Sequence, residues 1–358
     1  MPMSAKHAPE DFLLPSRGLP NHFYGTGIVP IQAFPLVLED LGCDARQIFA
    51  RAKVDLRLFD DPTRRISFNA LGRLVEESIA ATGCQHFGLL IGQRFNLDGM
   101  GDIRELMRNS ATLGKACRSL VRHLHLQDRG AVPLLLPIGP TRMALGYSVL
   151  RHETPAIKHI HDGGLTIVFR LLKEICGADW KPPLVQFSYS RPADITPYQK
   201  FFGTRVSFDA GFSAVVLATE SLAQPIERAD PIRHELLAAR IAERENSDQA
   251  GLADKVRRAL QSMVFSGTAS TDGIAHLFEV NERTLRRKLD AEGTSVQQLI
   301  QEATSTVAQQ LLRETELSIA EIAAALYYND TAAFSNAFRR WVGRSPNQWR
   351  KSVRGAAT

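Results

Sequence analysis

The stretch "NERTLRRKLDAEGTS" concentrates four cations in little more than one helical turn and then reaches a glycine. The cations are Arg283, Arg286, Arg287 and Lys288. Arginine carries a planar fork of donors that can meet a phosphate, or the O6 and N7 atoms of guanine together. The spacing predicts contact with a polyanion, and the alternative is a solvated helix face.

A second basic region closes the chain. The 43 Lys and Arg exceed the 38 Asp and Glu by 5 over the whole sequence, and after Asp330 no acid occurs. The cations in that last segment are Arg339, Arg340, Arg344, Arg350, Lys351 and Arg354. A stripe of one sign again favours a polyanionic partner.

The basic stretch belongs to a pattern that occurs twice, in "TDGIAHLFEVNERTLRRKL" and in "SIAEIAAALYYNDTAAFSNAFRR". Each copy is typical of a helix, a short polar turn and a second helix. Asn281 and Asn329 are predicted to cap the second helices, because an Asn oxygen can accept the free amide protons of a first turn. Such helices present their N-terminal residues outward, as reading a DNA groove requires.

One continuous helix is predicted between the two copies, and Trp341 and Trp349 are predicted to be core aromatics. Apolar residues mark one face of that helix: Val296, Leu299, Ile300, Ala303, Val307 and Leu311. At about 1.5 Å per residue, roughly 18 residues span about 27 Å. That length can place two recognition helices about 34 Å apart, in successive major grooves.

Other reactive residues give weaker patterns. "RHETPAIKHIHDGG" gathers His152, His159, His161 and Asp162, but two histidines two positions apart point to different sides of a helix. We interpret the segment as a polar helix start. The four cysteines form no C-x-x-C pair, and no G-x-S-x-G elbow or phosphate loop occurs. The sequence predicts no enzyme, no metal and no cofactor.

The remaining chain predicts an α+β domain over residues 26–218, after a flexible arm over 1–25. Helices are predicted in "PIQAFPLVLEDLGCDARQIFARA", "SFNALGRLVEESIAATG", "ELMRNSATLGKACRSLVRHLHL" and "TIVFRLLKEICG". A hairpin is predicted in "GAVPLLLPIGPTRMALGYSVL", and strands in "PPLVQFSYSRP" and "TRVSFDAGFSAVVLA". Residues 219–250 are predicted to be a linker and connecting helix, and 251–358 an all-helical domain. The N-terminus lacks a secretory pattern and the apolar run "VPLLLPIG" is too short to span a bilayer, so we expect a cytoplasmic protein without a membrane partner.

The last 105 or so residues resemble the AraC/XylS family of bacterial transcription regulators. The likeness lies in "VNERTLRRKL", "IAEIA" and above all "FSNAFRRWVGRSPNQWR". It implies an all-α domain with two helix-turn-helix units, with double-stranded promoter DNA and RNA polymerase as partners. Candidate base contacts are Arg283, Arg286, Arg287, Thr331, Ala332, Ser335 and Asn336. Candidate phosphate contacts are Asn281, Thr284, Lys288, Asn329, Arg339, Arg340, Arg344 and Ser345.

Four positions depart from the family pattern. Glu279 and Tyr327 stand where the family has glycine in each turn, so the turns either close without a positive φ or carry one at some cost. Thr304 and Asn336 stand where the family has arginine. We therefore expect the second recognition helix to specify sequence less strongly than the first.

The front half resembles the N-terminal domain of a subgroup that includes regulators of ornithine and arginine use, and not the cupin barrel of the arabinose regulator. The likeness lies in "GMGDIRELMRNSATLGKACRSLVRH" and "PPLVQFSYSRPADITPYQKFFGTRVSF", among other stretches. It implies a regulatory domain that binds a small polar metabolite. Candidate contacts, chosen by type and clustering, are Arg151, His152, His159, Tyr189 and Arg191. The alternative is a domain that serves only for homodimerisation or protein contacts, although about 200 ordered residues favour a sensor.

Overall fold

The computed structural model describes residues 25–128, 131–149, 154–247, 251–266, 269–278, 280–315 and 317–354, and the predicted N-terminal arm lies outside them apart from its last residue. The helices are α1 Phe34–Asp40, α2 Ala45–Arg51, α3 Phe68–Thr82, α4 Phe87–Arg94, α5 Asp102–Arg108, α6 Leu113–His123, α7 Ile157–Cys176, α8 Thr196–Phe202, α9 Pro231–Ser247, α10 Leu252–Ser266, α11 Thr271–Leu277, α12 Glu282–Ala291, α13 Val296–Glu314, α14 Ile319–Ala325, α15 Thr331–Val342 and α16 Pro346–Arg354. The strands are β1 Gly25–Gly27, β2 Arg65–Ser67, β3 Ala131–Pro137, β4 Arg142–Val149, β5 Leu184–Gln186, β6 Val206–Ser207 and β7 Ala214–Ala218. The chain is thus an α+β front domain followed by helices.

The front domain is built on a five-stranded sheet in the order β3-β4-β7-β5-β6. The predicted hairpin is confirmed, because β3 and β4 pair antiparallel from Ala131 opposite Val149 to Pro137 opposite Met143. The later strand segments are shorter than predicted, since β5 has three residues and β6 two. Among the described strands the sheet keeps two edges, β3 and β6, and does not close into a barrel.

Helix α7 runs through the core of the front domain and lies close to α4. An added Cβ at Gly88 of α4 would come within 2.0 Å of the carbonyl oxygen of His159, and one at Gly92 within 2.5 Å of the Thr166 side chain. Glycine is required at both positions because the two backbones approach so closely. The helix is therefore fixed along its first half against a neighbour of the same core.

Two of the predicted helices are wrong as single elements. The segment from Glu105 onward divides into α5 and α6, since Asn109 and Ser110 bond to carbonyls of α5 and Thr112 caps α6 through the amide of Lys115. Short polar side chains of this kind compete with helical hydrogen bonds. The first predicted helix likewise divides into α1 and α2 at Gly42, whose φ is +76°.

The C-terminal part consists of helices α10 to α16, and no strand is found in the described part of it. The apolar face predicted for α13 is confirmed: five of its six residues are buried and Ile300 is partly buried. Trp349 is buried, and Trp341 packs at an angle on Phe338 and Tyr328, so both tryptophans serve the core. The 19 residues of α13 give a rod of about 28 Å.

The two parts of the chain touch through apolar side chains. Leu136 of β3 is 3% exposed and packs in the core formed by α10 and its neighbours. Phe212, just before β7, and Ala144 of β4 pack against Leu317, which precedes α14. The hairpin edge of the front domain therefore contributes to the core of the helical domain.

Candidate nucleic-acid interface

Helix α12 presents an arc of arginines. Asn281 caps the helix as predicted, its side-chain oxygen accepting the amide of Thr284 at 2.8 Å. Leu285 and Leu289 are fully buried on one side. Successive residues of an α-helix are about 100° apart around its axis. The three candidate arginines therefore lie within an arc of about 100°, on the side of α12 away from the two leucines. All three are exposed, namely Arg283, Arg286 and Arg287.

Two acidic residues lie beside the three arginines. Arg286 pairs with Glu282 one turn earlier at 3.1 Å, and both side chains are largely exposed. Asp290 follows on the same side of the helix and is exposed. Arg287 makes no ion pair with the described residues. Of the three arginines, Arg286 must release a partner before it can contact DNA.

The second recognition helix, α15, is capped by a different residue from the predicted one. Asp330, and not Asn329, has the extended backbone of a cap and accepts the amide of Ala333 at 2.7 Å. The prediction failed because Asn and Asp cap helices equally well and the two are adjacent. Asn329 remains exposed and is left available for other contacts.

The outward face of α15 carries short side chains, as predicted. Thr331, Ala332 and Asn336 are exposed, and Ser335 is half-buried. Phe334 and Phe338 are fully buried on the opposite side, which fixes the rotation of the helix. The face can therefore offer contacts of limited reach.

The turn before α15 contains a non-glycine residue with a positive φ, which was one of the two alternatives for this turn. Tyr327 has a φ of +59°, in the left-handed region that costs a residue with a Cβ about 1 kcal/mol or more. Its neighbour Tyr328 turns inward and packs on Phe334 and Trp341. Glu279, at the equivalent turn of the first unit, lies outside the described residues.

The candidate phosphate contacts differ in what they already bond. Lys288, Arg339, Arg340 and Arg344 are exposed cations near the two recognition helices. The hydroxyl of Ser345 donates to Gln348 at 3.0 Å and accepts the Gln348 amide at 3.3 Å, at the start of α16. The amides of Gln348 and Trp349 both bond to Ser345, and Pro346 has no amide proton, so the first turn of α16 offers little to an anion.

Arg350 does not belong to the predicted cationic stripe. Its Nε donates to the carbonyl of Leu312 at 3.0 Å, and its Nη2 donates to that of Leu317 at 2.6 Å. The guanidinium thus holds α16 to the end of α13 and to the segment before α14. The sequence could not separate this use from a surface cation, because carbonyls as partners leave no pattern in the sequence.

A groove of about 720 Å³ runs between α13 and α15. Gln297 and Gln301 line it from α13, and Asn336, Arg340 and Trp341 line it from α15. Sequence reasoning missed the two glutamines, although their spacing of four places both on one side of α13. The groove adds amide donors and acceptors beside the second recognition helix.

The effector candidates are only partly brought together. Arg151 and His152 lie outside the described residues, and Arg191 is exposed. The hydroxyls of Tyr189 and Tyr198 both donate to Asp162, the latter at 2.9 Å. Burial, followed by the charge of Asp162, raises the pKa of both tyrosines.

The interpretation of "RHETPAIKHIHDGG" as a polar helix start is confirmed, since α7 begins at Ile157 within it, but its polar side chains do not lie on the surface. His159, His161 and Asp162 of α7 are all buried, Asp162 completely so. The sequence did not show this burial because it rests on partners distant in sequence, such as Tyr189 and Tyr198. Within the described residues no cluster of three or more His, Cys, Asp or Glu side chains is placed to hold a metal ion. Nor does any described helix combine the length and apolar character needed to cross a bilayer.

Comparisons with known proteins agree with the geometry. The arabinose-binding domain of AraC transcription regulator, N-terminal, matches residues 42–226, and a helix-turn-helix domain matches residues 274–352. The ornithine utilization regulator of Pseudomonas aeruginosa is 28% identical over 331 residues, covering 91% of this chain and 97% of that protein. The regulator VirS of Mycobacterium tuberculosis is 23% identical over 318 residues, covering 88% and 93%.

Among solved structures, the transcriptional regulator CdpR from Pseudomonas aeruginosa aligns with 86% of this chain and 96% of its own, at 21% identity and a TM-score of 0.44. The first family description covers more than half of this sequence, and the second covers both recognition helices. The chain therefore belongs to the AraC family of DNA-binding transcription regulators.

Proposed function

We propose that this protein is a sequence-specific transcription regulator whose helices α12 and α15 enter successive major grooves, and whose DNA affinity responds to a small-molecule effector. The observation that carries the DNA-binding part is the exposed arginine arc of α12 on a helix capped by Asn281. The rod of about 28 Å formed by α13 supports a separation near one turn of duplex. RNA polymerase is the further partner that the family implies.

The effector part rests on the contact between the two domains. Leu136 packs in the helical core, so a change at the sheet can reach the helices that carry the recognition residues. The front domain also encloses a small internal cavity lined by α7. A ligand in this cavity would change DNA affinity only if it bound two arrangements of the contact between the domains with different affinities.

A second candidate function for the front half is homodimerisation. Ile232 and Leu236, one turn apart on α9, are 73% and 65% exposed, whereas Leu237 and Ile241 of the same helix are buried against the front domain. An apolar pair on the outer side of a helix fits a contact with a second copy. The two candidates differ in whether a ligand changes DNA affinity.

The first experiment titrates the full chain against its promoter duplex at increasing salt. Six to ten phosphate contacts predict a loss of affinity of about 10³ to 10⁵ fold between 50 and 200 mM salt. A flat titration would contradict the arginine surface as the binding site. The second experiment compares affinity with and without a metabolite panel, beside sedimentation of the chain and of Leu236→Glu. If no compound changes the DNA affinity, and if the chain is a dimer that Leu236→Glu dissociates, the second candidate is favoured.

A further inference from the structure

The front domain encloses a cavity of about 90 Å³ between α3, α4, α6 and α7, which we call the front cavity. Its wall is mostly apolar and includes Phe34, Phe68, Leu120 and Leu171. A cavity of about 150 Å³ holds benzene, which has six non-hydrogen atoms, so the front cavity of about 90 Å³ has room for about four. That size excludes a drug-sized ligand but admits a small one.

One wall residue, His159, has unmet hydrogen-bonding capacity. Its side chain is 1% exposed, and neither ring nitrogen has a hydrogen-bond partner among the described residues. Nδ1 lies 3.5 Å from Oδ2 of Asp162, whereas Nε2 has no ion-pair partner among the described residues. Buried polar groups of folded proteins are nearly always hydrogen-bonded, because leaving one without a partner carries a free-energy cost. A bound molecule would remove this cost.

The backbone of His159 and the side chain of Asp162 are both held in place. The backbone of His159 lies against Gly88, where even a methyl group would not fit. Asp162, one turn later, is fixed by the hydroxyls of Tyr189 and Tyr198. A site with fixed polar groups loses little entropy on binding, which favours small ligands.

The charges around the front cavity restrict the ligand. Asp128 forms part of the wall, where it accepts the hydroxyl of Tyr147 at 2.6 Å, and Asp162 lies behind His159. An anionic ligand would lose its hydration to a mostly apolar wall and would meet the carboxylate of Asp162 behind His159. A cation would lose its hydration to a mostly apolar wall, and a protonated His159 would repel it. A hydroxyl can donate to the imidazole or accept from the imidazolium, so it suits either state of His159.

We propose that the front cavity binds a small neutral alcohol, with an apolar body and a single hydroxyl that meets Nε2 of His159. This ligand class differs from the polar metabolite that the sequence alone predicts. Its regulatory meaning rests on the proposed function, whereas its binding can be measured without DNA.

The test uses three compounds with one three-carbon body: 1-propanol, propylamine and propionate. The full chain, labelled in its histidine rings, is titrated with each and followed by nuclear magnetic resonance, and the His159 signal is identified by its loss in His159→Leu. We expect a saturable shift with the alcohol and at least tenfold weaker responses with the amine and the acid. In His159→Leu the alcohol should bind about 2- to 12-fold more weakly, the equivalent of one hydrogen bond.

Two further variants separate the front cavity from non-specific binding. Ile167 lines the front cavity and is partly buried, so Ile167→Phe should fill it and abolish saturation. Ile175, two turns later on α7 and outside the cavity wall, gives the matched control Ile175→Phe, which should bind as the parent chain does. Absence of saturation in the parent chain would overturn the inference, as would equal affinity for the acid or the amine.

DNA affinity of the same samples keeps the two proposals apart. A chain that binds its promoter but not the alcohol loses only this inference. A chain in which the alcohol saturates the front cavity while DNA affinity stays constant retains the site and loses the effector part of the proposed function.

Discussion

Removing single arginines from α12 should weaken DNA binding by unequal amounts. A bidentate contact between arginine and guanine contributes about 1–3 kcal/mol of discrimination against other bases. Arg287 makes no ion pair with the described residues, so Arg287→Ala should show that full loss, about 5- to 150-fold at the preferred base. Arg286 must first leave Glu282, and a helical surface pair of this kind contributes about 0.3–0.5 kcal/mol. The loss in Arg286→Ala should be smaller by that amount.

The pair itself supplies the control. Glu282→Gln keeps the size of the side chain but removes the charge that Arg286 leaves on binding. We expect this variant to bind DNA about twofold more tightly, the equivalent of the same 0.3–0.5 kcal/mol. Weaker binding in Glu282→Gln would show that the carboxylate orients Arg286 for the groove and does not compete with it.

The assay is a competition series against a randomised duplex library, with two variants from the second unit. Asn336→Ala should cost less than either arginine substitution, because short side chains on α15 reach only a thymine methyl, a phosphate or an adenine. Arg340→Ala should weaken all sequences alike, since its expected partner is phosphate. The expectation of unequal recognition helices fails if Asn336→Ala erases more sequence preference than Arg286→Ala or Arg287→Ala.

Three further predictions concern stability. Tyr327→Gly should raise the free energy of unfolding by about 1 kcal/mol relative to Tyr327→Ala, because glycine adopts a positive φ without strain, and chemical denaturation of both variants measures this. Glu292→Gln should lower it by about 1–2 kcal/mol, because the Glu292 carboxylate accepts the first two amides of α10 at 2.9 Å each; an unchanged midpoint in urea would contradict that capping role. Burial raises the pKa values of Tyr147, Tyr189 and Tyr198 above the value near 10 that tyrosine has in the unfolded chain. The stability that each contributes is therefore fully present below about pH 10. Above pH 10 it falls by about 1.4 kcal/mol per pH unit for each tyrosine. Tyrosinate absorbance and ellipticity should then change together in an alkaline titration, and tyrosinate forming before unfolding would refute the assignment.

The helical domain could be predicted from sequence because its features are local. A cap, a turn and an apolar face repeat within a few residues, so Asn281 and the buried face of α13 follow from spacing alone. Where two adjacent residues could serve equally, as with Asn329 and Asp330, the sequence did not distinguish them. In the front domain, the sequence did not predict the break between α5 and α6. Polar residues occur at the break, but the spacing of apolar residues continues across it.

The front domain was harder to predict because its decisive contacts are distant in sequence. Asp162 meets hydroxyls 27 and 36 positions later. Arg350 is a comparable case in the helical domain, because it bonds to carbonyls 38 and 33 positions earlier. No spacing rule connects such positions. His159 was predicted as an effector contact for its type and its neighbours, and its place in the wall of the front cavity emerged only from the packing of α4 on α7.

Strand β3 runs between the front cavity and the core of the helical domain, the two sites that an effector response would have to couple. Asp128, just before it, belongs to the wall of the front cavity, and Leu136, near its end, lies in the core of the helical domain. If occupation of the front cavity changes DNA affinity by a given factor, thermodynamic linkage requires that DNA change ligand affinity by the same factor. Promoter DNA would then act as an effector of the front cavity, and a cell with many operator copies would retain or release the small molecule accordingly.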